Sequence, residues 1–572
     1  MRIKNPILRG FHPDPSIVRV GQDYYIATST FEWWPGVRLH HSTDLVDWRL
    51  IEYPLTRMSQ LDLRGVGASQ GVWAPCLTWD QGVFYLAYTV VKAFYCNMYD
   101  TNNYLVTAAD IHGPWSEPIV LNHYGFDPSL FHDDDGRKYM VSMVTDHRVP
   151  KKYQGRLILQ EYDPVNRCMT GEAKDIYQAD RIFLEGPHLM KRNRWYYLFC
   201  ADTGTGEGHG QSILRSRSVW GPYEMYKDGE AHSMMTVRDD RDWPLQKCGH
   251  GDLVETPDGS WYMVHLCGRP SAAVNPMDRI RFPGHRRYML GRETAIQKVK
   301  WTEDDWLLLD SGDDVWNRPA IWPELPDWCG RPEVNRPETG GMDPAAYCGG
   351  VGAGIPDRDN FDRKVLSREY QSLRIPMDET YISLKARRGY LRMYGRSGLA
   401  SKFSQSLIAR RVTEYRMSAA ARVEFEPDNF KQMAGLILLY DTDNYFYLHL
   451  SKDEDIGKCV TLLKAENRKY EYLTGYLAVP EGKAVTLSLE LNGTEVSFAY
   501  QVEGEGPNPL YGPADASFLS DEACEEGWFT GSMCGICCQD LTGEGKHADF
   551  DWFEVTAKPE ILISSKKSAP QS

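Results

Sequence analysis

The chain is short of what a polyanion-binding or membrane-spanning protein needs. Acidic side chains outnumber basic ones, 79 to 64, for a formal net charge of −15. That balance argues against nucleic acid as a partner, because such binding rests on clustered Lys and Arg. No apolar run approaches the roughly 18 residues that cross a bilayer, so no membrane partner is expected. Met1-Arg2-Ile3-Lys4-Asn5-Pro6 leads straight into polar, proline-containing sequence, with no sign of a secretory leader. Cysteine occurs 13 times but without a disulfide framework, and the expectation is reduced thiols in a cytoplasm. One pair, Cys534 and Cys537, has metal-site spacing but no matching second pair. Buried thiols on a small-residue strand are the reading there.

What is abundant is aromatic. There are 17 Trp and 33 Tyr, a load that suits β-rich folds and sugar-binding surfaces, where a ring face stacks on a pyranose. At 572 residues the chain exceeds what one hydrophobic core serves, so two domains are expected.

The first half carries five repeats. They begin at Asp14-Pro15-Ser16-Ile17, Ala74-Pro75-Cys76-Leu77, Asp127-Pro128-Ser129-Leu130, Gly186-Pro187-His188-Leu189 and His250-Gly251-Asp252-Leu253. Counting from Pro15, Pro75, Pro128, Pro187 and Gly251, an apolar residue follows two positions on and a Tyr ten or eleven on. Turn signals such as Asp80-Gln81-Gly82, Asp135-Gly136 and Asp258-Gly259 separate the two, which makes each repeat open with a β-hairpin. The period of 53 to 64 residues fits a four-stranded blade, and five blades closed in a ring make a β-propeller. Three outer echoes support it: Ser42 to Trp48, Ala109 to Trp115 and Ser218 to Tyr223. His132-Asp133-Asp134-Asp135-Gly136 resembles part of a calcium loop but lacks the terminal Glu, so it reads as a hairpin turn.

The second half differs. Asn317 to Asp357 is rich in Pro and Gly and reads as linker or insertion. Strands resume at about Asn360, with alternation over Gly435 to Leu450 and a hairpin about Asn492-Gly493 within Val485 to Val502. An antiparallel β-sandwich is expected. The all-β chain therefore divides into a propeller over 1–316, a linker over 317–357, a sandwich over 358–560 and a tail over 561–572.

The repeat starts carry the chemistry. Equivalent points of the five innermost strands face one end of the channel, which brings Asp14, Asp127 and His250 together, with Glu185 one step before Gly186. A single Asp-Pro usually caps a turn. Three acids at equivalent places instead match inverting glycoside hydrolysis, which needs a general acid, a general base and different protonation states for the two. A third carboxylate beside the acid would keep it protonated. Phe31, Trp33, Trp34 and Trp73 are candidates to stack on sugar, with core packing as the alternative. Arg292 could bind sugar hydroxyls or form a structural ion pair.

Gly10-Phe11-His12-Pro13-Asp14-Pro15-Ser16-Ile17, the run Tyr24 to Trp33, and Glu185-Gly186-Pro187-His188-Leu189 resemble the β-xylosidases of glycoside hydrolase family 43. The likeness continues through Leu245 to His250, Leu290 to Ile296 and Phe529-Thr530-Gly531, and so covers nearly the whole chain. It implies a five-bladed propeller with a concanavalin-like sandwich that releases xylose from the non-reducing ends of xylo-oligosaccharides. It implies Asp14 as base, Glu185 as acid and Asp127 as pKa modulator, with Phe31, Trp73, Thr205, His250, Arg292 and Phe529 at the substrate. Phe529 would close the pocket from the sandwich. No cofactor is required by the resemblance, although in some relatives the channel histidine, here His250, helps hold calcium through water. Large members often assemble as dimers or tetramers. Thr145, Cys76 and Glu207-Gly208 depart from the family pattern and are expected about the pocket mouth, where they would alter substrate preference. The competing readings are an α-L-arabinofuranosidase and a non-catalytic sugar-binding propeller.

Overall fold

The computed structural model describes residues 3–558, apart from 96–97, 149–154, 180–181, 229–232, 279–280, 311–316, 322 and 325–356. Most of the expected linker and the whole expected tail lie outside the described residues.

Five antiparallel sheets follow one another along the first half of the chain, each built in sequential strand order. Their innermost strands are Ser16–Val20, Gly71–Asp80, Phe126–His132, Leu184–Arg192 and Gln246–Glu255. Each is joined to the next strand by the short turn read in the sequence, as where Asp80 pairs with Val83 and His132 with Lys138. Neighbouring innermost strands touch in order and the fifth touches the first, so the blades close into a five-bladed propeller. The N-terminal segment fastens the closure. Leu8 bridges Thr294 in the fifth blade, and the Asn5 side chain donates to the Ile296 carbonyl at 2.8 Å and accepts from its N–H at 2.9 Å. The outer echoes are turns, in which Trp48, Trp115 and Tyr223 reach back to the carbonyls of Leu45, Ile111 and Val219.

One backbone feature repeats around the ring. Asp14, Ala74, Asp127, Gly186 and His250 all have positive φ, at 53°, 36°, 54°, 54° and 54°. In the second to fifth blades the ladder slips at this point, between Trp73 and Cys76, Phe126 and Ser129, Glu185 and His188, and Gly249 and Asp252. Such bulges re-aim a side chain that the regular pleat would send elsewhere. Here they sit where the acids sit. A non-glycine residue in this region costs about 1–2 kcal/mol, a strain the surrounding sheets must hold.

The second half is a two-sheet sandwich. One sheet runs in the order Ile382–Ser383, Leu391–Tyr394, His547–Ala557, Arg416–Glu424, Val485–Asn492, Glu495–Val502 and Asn508–Asp515. The other is centred on Met533–Asp540, Gln432–Asp441 and Asn444–Asp453. Alternation explains the first sheet: in Val485–Asn492 the residues Val485, Leu487, Leu489 and Leu491 are buried while those between are not. The expected hairpin forms, with Asn492 opposite Glu495. Cys534 and Cys537 are buried thiols in the inner strand, as the sequence suggested, and Cys538 beside them is buried too.

The sandwich is welded to the propeller. Ser372–Leu373 pairs with Trp33–Trp34, and Phe11, Phe31 and Trp73 share a buried cluster with Ile437, Leu439 and Tyr447. Arg269 bridges Glu293 of the propeller, at 2.7 Å, and Glu414 of the sandwich, at 2.8 Å, while Arg9 also pairs with Glu414. Removing one member of such a buried set strands the other charges and costs about 3–5 kcal/mol. The stacking role considered for Trp33 and Trp34 is corrected by this packing. Both rings are buried in it and neither lines the pocket.

Candidate active site

Asp14, Asp127, Glu185 and His250, carried by four of these strand starts, meet at one end of the channel in a single pocket. It is lined by Asp14, Phe31, Trp73, Phe126, Asp127, Glu185, Thr205, His250, Arg292 and Phe529. All nine residues expected from the sequence are therefore brought together, with one addition. Phe126 stands just before Asp127 as Trp73 stands before Ala74 and Glu185 before Gly186. The repeat alignment contained that signal. The Trp73 and Phe126 rings meet edge to face with centroids 5.4 Å apart.

Asp14 is held as a carboxylate acceptor on both oxygens. Arg292 Nη1 donates to Oδ1 at 2.8 Å, and the Ser29 hydroxyl donates to Oδ2 at 2.7 Å. Arg292, which follows Gly291 and enters the strand Glu293–Trp301, also donates through Nη2 to the Phe529 carbonyl at 3.0 Å. One planar fork thus spans the propeller and the sandwich.

Asp127 accepts the Gly186 N–H at 2.8 Å, which ties it to the strand that carries Glu185. Burial, then the charge of Asp14, pushes Asp127 up to about 7, against the opposing pull of that N–H. Glu185 is raised well above the usual carboxyl range. Burial is the main cause, followed by Asp127 and then Asp14, with Arg292 acting in the opposite sense. Two like charges in one buried pocket disfavour double ionisation, so both carboxyls are raised. Its Oε1 is buried without a hydrogen-bond partner among the described residues.

His250 lies with Nδ1 3.8 Å from Asp14 Oδ1. Burial pulls it down to about 4, so the ring is neutral at ordinary pH despite that carboxylate. Gly186 leaves room for this ring, since a Cβ there would stand 2.8 Å from His250 Nε2.

Calcium takes six to eight oxygen ligands. The carboxylate within reach of His250, Asp14, is already taken up by Arg292, and no group of three or more His, Cys, Asp or Glu among the described residues is arranged to hold a metal. The described residues do not fit directly coordinated calcium.

The aromatic wall is continuous. Phe529, from the sandwich, stacks near Phe31 at 6.1 Å and meets Trp73 edge to face at 5.2 Å. The expectation that all three departures surround the mouth is corrected for Cys76 and Glu207. Cys76 follows Ala74 by two residues, which places it one layer deeper, where it is buried with its Sγ 3.5 Å from the Ser129 hydroxyl. Glu207 is buried and turned to the Arg286 N–H at 2.8 Å and the Tyr288 hydroxyl at 3.2 Å. Thr145 is half-buried and does not line the pocket.

A propeller channel ending in three carboxylates and an aromatic wall defines a glycoside hydrolase. The chain belongs to the family described as glycosyl hydrolases family 43, which matches residues 3–307, and the beta-xylosidase C-terminal concanavalin A-like domain matches residues 358–556. It is 43% identical over 564 residues to the xylosidase/arabinosidase 43B of Humicola insolens, covering 96% of this chain and 97% of that one. It is 40% identical to a beta-xylosidase of Bacillus subtilis (strain 168), covering 98% and 100% of the two chains. The crystal structure of a xylan beta-1,4-xylosidase from Bacillus halodurans C-125 superposes with a TM-score of 0.88 at 43% identity, covering 97% of this chain and 100% of that one. A non-reducing end alpha-L-arabinofuranosidase of Bacteroides ovatus is 32% identical, covering 96% of this chain and 94% of that one.

Proposed function

We propose that this enzyme is an inverting, exo-acting β-xylosidase that releases xylose from the non-reducing ends of short xylo-oligosaccharides. Asp14 removes a proton from water as the oxygen attacks the anomeric carbon, and Glu185 delivers its proton to the departing glycosidic oxygen. Arg292 holds the base in place, and Thr205 and His250 supply polar partners for ring hydroxyls. Phe31, Trp73, Phe126 and Phe529 give the sugar apolar faces and exclude water.

One observation carries the reading. Glu185, whose carboxyl is raised well above its usual range by burial and by Asp127 and Asp14, lines one pocket with both of those acids. The relatives called beta-xylosidase support xylose as the sugar. The names that include arabinosidase or arabinofuranosidase favour a second, weaker activity on α-L-arabinofuranosides, since furanose and pyranose can offer one pocket similar hydroxyls. Comparing kcat/KM on 4-nitrophenyl β-D-xylopyranoside and α-L-arabinofuranoside tests this. The xyloside is expected to be the better substrate, and a clear preference for the arabinoside would overturn the assignment.

A further inference from the structure

The aromatic wall of the pocket comes from two domains, and something must set its two halves in register. The connection between the first and second blades reaches that boundary at residues 64–70. Three contacts clamp it to the sandwich: Gly65 N–H donates to the Lys402 carbonyl at 2.8 Å, Arg374 Nε donates to the Val66 carbonyl at 2.7 Å, and Gly527 packs on Ala68. The last approach is so close that a Cβ on Gly527 would stand 2.9 Å from the Ala68 carbonyl oxygen.

Ser69, next in line, is fully buried and has φ 59°. Each of its polar groups is committed. Its N–H donates to Glu32 Oε2 at 3.1 Å, its carbonyl accepts the Trp73 indole N–H at 2.9 Å, and its hydroxyl oxygen accepts the Phe529 N–H at 3.0 Å. Glu32 directly follows Phe31, and its own carbonyl accepts the Arg374 N–H at 2.9 Å. One residue with an uncommon backbone conformation therefore touches both halves of the wall and the segment bearing its third ring. Strain of this kind persists only where the surroundings over-determine it, and it gathers at functional sites.

We propose that Ser69 is a positioning residue for the sugar pocket, setting Phe529 through its hydroxyl and Trp73 through its carbonyl so that both rings meet one monosaccharide. The proposal rests on the xylosidase reading for the identity of that monosaccharide. It does not need it for the latch itself.

Two variants of the full-length enzyme separate positioning from mere support. Ser69→Gly and Ser69→Ala both lose the hydroxyl, but glycine accepts φ 59° without strain and alanine does not. Losing one hydrogen bond to the lid corresponds to about 0.5–1.5 kcal/mol, or roughly 2- to 12-fold. Both variants are expected to raise KM for 4-nitrophenyl β-D-xylopyranoside and Ki for D-xylose together by that factor, with a smaller change in kcat. Hydrogen exchange at the Phe529 amide is expected to accelerate in both. Thermal stability should differ between the two, with glycine the more stable, while sugar affinity should not. Unchanged exchange at Phe529 would overturn the latch, and affinity that follows stability would overturn the positioning role. A wild type that neither hydrolyses the xyloside nor is inhibited by xylose would sink the proposed function instead, and the exchange rates would still decide the latch.

Discussion

Arg292 and Asp14 form a charge-assisted pair, Nη1 to Oδ1 at 2.8 Å, whose other arm reaches the Phe529 carbonyl at 3.0 Å. The base is thereby aligned by the same group that anchors the lid. Lysine would keep the charge but could not span both acceptors. Arg292→Lys is expected to lower kcat/KM on aryl xylosides by roughly 10- to 150-fold, the worth of a hydrogen bond to a charged group. Steady-state kinetics check it, and activity within two-fold of wild type would mean that the fork has no role in alignment.

Glu185→Ala removes the proton donor and leaves Asp14 in place. Turnover of xylobiose, whose sugar leaving group needs protonation, is expected to fall by about 100- to 10,000-fold. A dinitrophenyl xyloside, which leaves as a stable anion, should lose far less. Equal losses on the two substrates would remove Glu185 from the role of acid.

The pH profile follows from the same pocket. Glu185 must hold its proton, so activity on xylobiose is lost as pH rises through its pKa. Burial and the charges of Asp127 and Asp14 hold that pKa up. Asp127→Asn deletes the second of these causes while burial remains, so the alkaline limb of kcat/KM should move to lower pH. A limb that stays put or moves upward would show that Asp127 does not act on the acid in this way.

Of the five equivalent positions with positive φ, Ala74, at 36°, is the one whose residue is neither polar nor glycine. Ala74→Gly relieves about 1–2 kcal/mol of backbone strain, part of which is lost again to the freer unfolded chain. A net gain of up to about 1 kcal/mol is expected, read as a rise in denaturation midpoint with catalysis retained. A lower midpoint would show that the bulge geometry is not strained at this residue.

The propeller was legible in the sequence because its signals are local. Each repeat couples a turn, such as Asp80-Gln81-Gly82, to an apolar residue and a Tyr at fixed offsets. Asp14, Asp127 and His250 stood out for the same reason, since equivalent positions in a closed ring must converge. Phe126 holds an equally regular place in the repeat, but a lone Phe beside a strand normally belongs to a core and so carries no signal of its own. The five positive φ angles had only a weak sequence sign: Gly186 is permissive and Asp and His are enriched in the left-handed region, but Ala74 gives no warning of it. Ser69, Arg374 and Glu414 were out of reach on other grounds. Their partners across the domain boundary are more than 140 residues away, as with Ser69 and Phe529 or Arg269 and Glu414, and only the docking of two domains brings them together.

The most direct test is a proton NMR time course on xylobiose with the purified enzyme, following the anomeric signals before mutarotation. Single displacement by water activated at Asp14 must release α-xylose first, with the β anomer appearing only later as the two equilibrate. Initial appearance of β-xylose would mean retention through a covalent intermediate and would contradict the roles given to Asp14 and Glu185.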